Sequence, residues 1–253
     1  MISADSFLHN RRVRRTCFAA GVQFLRGGFL ALSIFKKDRY NNIDSKLISD
    51  RAFYVVVAAV LLFGFAVNAL EVWLLYDVVV HWNMLVFFIV YLIMAVAGVC
   101  INAFSRNPLL SFIGYCLVVL PIGAALALTV PVYSFAVVRS AFLVTAILAA
   151  VFILLALLYP RVFYSMWKVL SISLFVALIW SIINMFTGFA STSMVWLDWI
   201  VVLIFCCYVG FDVSLARNRP KTLDNAVDSA CGLYLDLINI FIRLLVIFGR
   251  NHD

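Results

Sequence analysis

The chain is expected to fold as an all-α integral membrane protein, a bundle of seven transmembrane helices with the seventh at its centre. Three observations lead there. The residues are 66% hydrophobic and only 12% charged, whereas a soluble domain carries roughly 25% charged residues. Seven apolar stretches, near 52–75, 84–104, 109–131, 138–159, 166–187, 195–214 and 229–248, reach or approach the ~20 residues that cross a bilayer. The last of them alone carries a strongly polar face, and a helix of that kind has to be surrounded by other helices.

Taken in order, residues 1–51 read as a basic cytoplasmic tail, 52–249 as the seven-helix domain and 250–253 as a short C-terminal tail. The first 51 residues hold ten Lys or Arg. Arg11, Arg12, Arg14 and Arg15 precede an apolar run that Arg26 interrupts, without a convincing cleavage site. This fits an uncleaved tail whose interfacial helix meets anionic lipid. The loops after segments two, four and six add Arg106, then Arg161 and Lys168, then Arg217, Arg219 and Lys221. Basic residues mark the cytoplasmic side, so the N-terminus is expected in the cytoplasm of a bacterial inner membrane.

The smaller features have plain explanations. Glu71 and Asp77 are expected in or beside the first outer loop, and Asp198 at the outer end of helix six between Trp196 and Trp199. Pro121 suggests a kink and Asn184 an interhelical hydrogen bond. The net charge of +7 is scattered along one membrane face, which excludes a nucleic-acid partner and leaves the lipid bilayer as the partner. The six cysteines form no CxxC and sit mostly in apolar helices, as small hydrophobes do. Neither G-x-S-x-G nor H-E-x-x-H occurs, so no enzyme and no bound cofactor is expected.

The functional signal lies in two aspartates. Asp212 closes the apolar run from Trp199, and Asp236 interrupts the run from Gly232 to Gly249. A carboxylate in hydrocarbon costs several kcal/mol and is kept where it faces protein or water. At ~1.5 Å per residue, Asp212 lies about 7–8 Å below Arg217 and Asp236 about 12 Å below Asp228, so the two can meet at one depth. Asp228, Gly232, Asp236, Asn239 and Arg243 fall within roughly 80° of one face of the last helix. Two charges ~4 Å apart at an effective dielectric of ~20 repel by about 4 kcal/mol. The pair is therefore expected to hold one proton near neutral pH and to titrate as a unit. Without that proton it offers oxygen ligands to a hard cation such as calcium. Tyr208, Asn239, carbonyls and water would have to complete the shell, so Asp212 and Asp236 make a weak and transient metal site.

At these residues the chain resembles the transmembrane Bax inhibitor motif (Bax inhibitor-1) family. The likeness is concentrated in YVGFDVSLARNR, 208–219, and DSACGLYLDLINIFIRLLVIFG, 228–249, with LYLDLIN its most specific part. The resemblance implies seven helices around a central seventh, and a pH-sensitive calcium leak whose opening is controlled by an aspartate dyad, here Asp212 and Asp236. The chain also departs from the family. It has no Asp or Glu between Asp77 and Asp198, where family members with a described leak hold an acidic residue in helix two. The family's basic residues at the inner end of that helix survive as Arg106.

The expected function is thus a pH-sensitive calcium or cation leak gated by Asp212 and Asp236. Asn239, Arg243, Asp228, Tyr208 and Arg106 are its supporting polar residues, and calcium or protons are the permeant or gating ions. The alternative is a non-conducting regulator that binds another membrane protein such as a protease. An intramembrane aspartyl protease fits less well, because Tyr234 stands where such enzymes have a glycine two residues before the second aspartate.

Overall fold

The computed structural model describes residues 18, 20–29, 47–187 and 195–250, apart from the side chains of 180–187 and 195. Among these residues the secondary structure is entirely helical. A short helix α1 occupies 20–29 and is followed by α2 (Asp50–Leu74), α3 (Tyr76–Val79), α4 (Met84–Phe104), α5 (Pro108–Thr129) and α6 (Phe135–Leu158). Then come α7 (Pro160–Ser165), α8 (Trp167–Thr187), α9 (Val195–Asn218) and α10 (Leu223–Arg250). Six of these are long and apolar enough to cross a membrane, and the described apolar part of α8, Trp167–Ile179, is shorter. The chain is a multi-pass, all-α membrane bundle.

The helix starts are written locally. Ser49, Asn83, Asn107 and Ser134 each accept a hydrogen bond from a backbone N–H in the first turn of α2, α4, α5 and α6. Pro108 then occupies the first turn of α5, where no N–H is needed. Pro121 stands inside α5, which continues through it. Asn184 falls in α8, but its side chain lies outside the described residues. Small residues let α4 and α5 touch. A Cβ on Gly98 would come within 2.6 Å of the Gly114 carbonyl oxygen, so only glycine permits this approach.

One end of the bundle carries the start of α2, the α4–α5 turn, α7 and the α9–α10 turn, and most of the described basic residues with them. Lys221 ties this basic end together. Its ammonium donates to the carbonyls of Ala216 at 2.6 Å and Arg217 at 2.9 Å, and it lies 4.8 Å over the Phe53 ring. Burial there draws its proton affinity below the ordinary lysine value, while Asp50 acts in the opposite sense. The opposite end carries α3 and the α5–α6 turn.

α10 is the innermost helix. It packs against α2, α5, α6 and α9, and 78% of its apolar span is buried, against 22% for α4 and α6. A polar helix in a lipid-exposed bundle has to sit there, because its side chains need protein partners that lipid cannot supply.

The division at residue 51 needs correcting. Residues 18 and 20–29 lie inside the bundle, although the sequence reads 1–51 as a tail outside it. Phe18 shares an apolar cleft with Val79, Trp82 and Met84 at the opposite end, and its ring meets Tyr91 of α4 edge-on at 5.9 Å. Gly27 reaches Leu174 of α8. α1 therefore runs from the opposite end towards the middle, between α4 and α8. Most of residues 20–29 around Arg26 are buried, and Arg26 itself has buried partners there. The expected side of the N-terminus itself concerns residues outside the described set.

Candidate functional site: an arginine between two aspartates

Asp212 is in the last third of α9 and Asp236 is at mid-length in α10. The short turn 219–222 returns the chain antiparallel, and both side chains reach one point. They do not meet alone. The guanidinium of Arg26 from α1 stands between them, donating from Nη2 to Asp212 Oδ1 at 2.8 Å and from Nε to Asp236 Oδ1 at 2.5 Å. Nη2 also donates to Asp236 Oδ2 at 3.2 Å, so Asp236 takes the fork on both oxygens. Arg26 and Asp236 are 0% exposed and Asp212 is 5% exposed.

The surroundings explain why an arginine is held here. The Tyr208 ring lies 4.6 Å from the guanidinium carbon and the Phe29 ring 5.8 Å, so aromatic faces cover the planar cation while its edge meets carboxylates. Gly232 makes room, since a Cβ there would collide with the Asp212 carboxyl group. Two carboxylates against one guanidinium leave one excess negative charge when both are ionised.

The other sequence candidates are scattered. Tyr208 belongs to the site as a ring above Arg26, and its hydroxyl is buried without a hydrogen-bond partner. Asn239 is buried but donates to the carbonyl of Leu235 on its own helix, 2.8 Å away. Arg243 pairs with Asp198 Oδ1 at 3.0 Å, and Arg250 with Asp198 Oδ2 at 3.3 Å, which forms a separate cluster at the opposite end. Asp228 is buried one helical turn before Gly232. Arg106 is exposed in the α4–α5 turn, remote from the aspartates. The polar stripe of α10 thus serves several partners rather than one. Among the described residues, no group of three or more His, Cys, Asp or Glu side chains is placed to hold a metal ion.

Arg26 is the residue that sequence reasoning missed. Its signal was available: GVQFLRGGFL places one cation in an apolar run, and two buried acids at one depth call for a cation.

The family match lies in the part of the chain that follows α1. The family model described as "Inhibitor of apoptosis-promoting Bax1" matches residues 47–253. The chain belongs to that family. It is 34% identical over 90 residues to an uncharacterized protein of Helicobacter pylori strain 26695, covering 35% of this chain and 37% of that protein. It is 31% identical over 135 residues to an uncharacterized membrane protein of Streptococcus pyogenes serotype M3, covering 51% of this chain and 58% of that protein. The chain thus aligns with well under two thirds of either relative's length. Asp212 and Asp236 fall inside the family match, while α1 and Arg26 precede it.

Proposed function

We propose that the protein is a pH-sensitive cation leak, calcium being the best-suited ion, in which Arg26 fills the site a cation would otherwise occupy. The seat of Arg26 between Asp212 and Asp236 carries this reading. A guanidinium and a hydrated cation compete for the same carboxylate oxygens, so the bundle rests closed while α1 is docked. Protons compete as well. Protonating the pair weakens the hold on Arg26, and deprotonating it strengthens the hold on whichever cation is present. In this reading the basic end faces the cytoplasm of a bacterial inner membrane. No catalytic role is proposed, because an aspartyl protease needs its water between the two carboxylates, where Arg26 lies.

The same buried trio also suits a non-conducting regulator in which α1 is a permanent clamp and another membrane protein is the target. Calcium flux into liposomes separates the two. Arg26→Gln should raise flux several-fold over the wild type, and that flux should grow as pH rises, because the freed carboxylates lose the protons that compete with calcium. Flux no greater than in protein-free vesicles at every pH, from a variant that stays monodisperse in detergent, would falsify the leak.

A further inference from the structure

On the far side of α10 from Asp236 lies another buried carboxyl group. Glu71, in the last turn of α2, is 8% exposed, and Asn68, one turn earlier, is 4% exposed. Both residues thus lie in or beside the first outer loop as expected, Asp77 exposed in α3 and Glu71 in the last turn of α2 with its side chain buried. Asn68 donates from Nδ2 to the Tyr234 hydroxyl at 2.7 Å. Among the described residues, neither its Oδ1 nor Glu71 Oε2, both buried, has a hydrogen-bond partner. Both press on the same spot of α5, the point that a Cβ on Gly123 would occupy. Two acceptor oxygens thus face one small space with no donor between them.

Among the described residues, no charged side chain is hydrogen-bonded or ion-paired to Glu71. α5 contains no charged residue. At ~100° per residue, Asp228, Asp236 and Arg243 point about 120° or more away from Tyr234 around α10. Asp224 is about 15 Å further along that helix at ~1.5 Å per residue, and it is bonded to Ser111. Asp50 and Arg51 sit at the other end of α2. Among the described residues, the phenols of Tyr115 and Tyr91 also face Tyr234. Two free oxygens are too few for sodium or calcium, which need about six. A proton needs only two.

The geometry points to Glu71 as a proton-binding site, its carboxyl group held as the neutral acid with the Oε2 hydroxyl donated to Asn68 Oδ1. One proton satisfies both stranded oxygens and removes an uncompensated charge from the bundle. The chain of bonds then runs from Glu71 through Asn68 to Tyr234 on α10. When the proton leaves, the Asn68 amide has to turn Nδ2 towards the carboxylate and take it from Tyr234. Glu71 thereby reports its protonation to the helix that carries Asp236.

Infrared difference spectroscopy on the full chain in lipid tests this directly and needs no ion flux, so its outcome is independent of the leak. The wild type should show the C=O band of a protonated carboxylic acid at neutral pH, lost on strong alkalisation. The band should be absent from Glu71→Gln, retained in Asp236→Asn and shifted to higher frequency in Asn68→Leu, which removes the acceptor. Identical spectra for wild type and Glu71→Gln would overturn the proposal. Melting temperature gives a second readout. Glu71→Gln, an isostere of the neutral acid, should match the wild type at mildly acidic pH and exceed it at alkaline pH. An equal loss at all pH values would mean that the ionised form is the native one, and would overturn the proposal too.

Discussion

Asp236 and Tyr234 are two residues apart on α10, which turns them to opposite sides of the same helix. On Asp236's side two carboxylates share a buried arginine. On Tyr234's side one buried carboxyl group, Glu71, is paired with no cation among the described residues. A bundle in lipid can keep a buried acid in two ways, by bringing a cation or by keeping a proton. The two ways carry opposite consequences. The arginine site has a charge that can be exchanged for another cation, whereas the Glu71 site is neutral and quiet until alkalinity strips it. The arginine site is also assembled from three distant stretches of chain, α1, α9 and α10, so it is conditional on α1 being docked.

The largest effect should come from removing the shared cation. Arg26→Met leaves two adjacent carboxylates in a dry site, and breaking a buried pair costs roughly 3–5 kcal/mol. The loss should shrink at acidic pH, because both aspartates can then take protons and become neutral. Denaturant melts in detergent at several pH values measure it. A loss that stays constant with pH would mean that Arg26 matters only for packing, and the contrast between the two faces of α10 would collapse.

Next come the aspartates themselves, which should differ. Asp236 accepts from Nε and Nη2, and Asp212 from Nη2 alone. Asp236→Asn should therefore cost about 2–3 kcal/mol more than Asp212→Asn, which leaves a neutral Arg26–Asp236 pair. For stability, the double substitution should cost more than the sum of the two singles, since it strands a buried guanidinium. Two carboxylates sharing only a proton would behave otherwise, with the second substitution adding little. Additive single and double effects would sink the trio as a unit.

How much of this was legible in the sequence differs between the two sites. Hydropathy located the apolar helices. Asp212 and Asp236 stood out because charge inside an apolar run is rare. Arg26 was hidden by the same logic. A cation close to four other arginines and ahead of the first long span looks like part of a basic tail, and only the charge balance of the pair demands otherwise. Glu71 was hidden by its position near a helix end. The buried face of α2, Phe53, Val57, Val60, Gly64, Asn68 and Glu71, has helical spacing throughout, so the periodicity places Glu71 inside the bundle. Arg243 shares a face with Asp236 yet serves another partner, because the rise along the helix separates what the angular position unites.

A third substitution probes the tight space on the neutral face. Gly123→Ala would place a methyl group on the Glu71 carboxyl, and overpacking of this kind costs typically 1–3 kcal/mol. The cost should fall in a Glu71→Ala background, where the collision with the carboxyl group is gone and Asn68 Oδ1 at 2.8 Å remains, and a double-mutant cycle reads that coupling. A cost unchanged by Glu71→Ala would show that α2 and α5 are held apart by something other than this carboxyl group.

The smallest effect is expected at the end of the bundle, and it sets the scale for the others. Asp198 pairs with both Arg243 and Arg250. Its side chain is 11% exposed, and Arg250 is 32% exposed. Water and headgroups can reach charges at this depth, so Asp198→Asn should cost about 1 kcal/mol, the upper end for exposed pairs. The loss should diminish in high salt, and any pH dependence of flux should persist, because no charge near Asp212 or Asp236 has changed. A loss matching that of Arg26→Met, insensitive to salt, would mean that depth in the bundle does not govern how these carboxylates are held. The distinction between a buried charge matched by arginine and one matched by solvent would then have no basis.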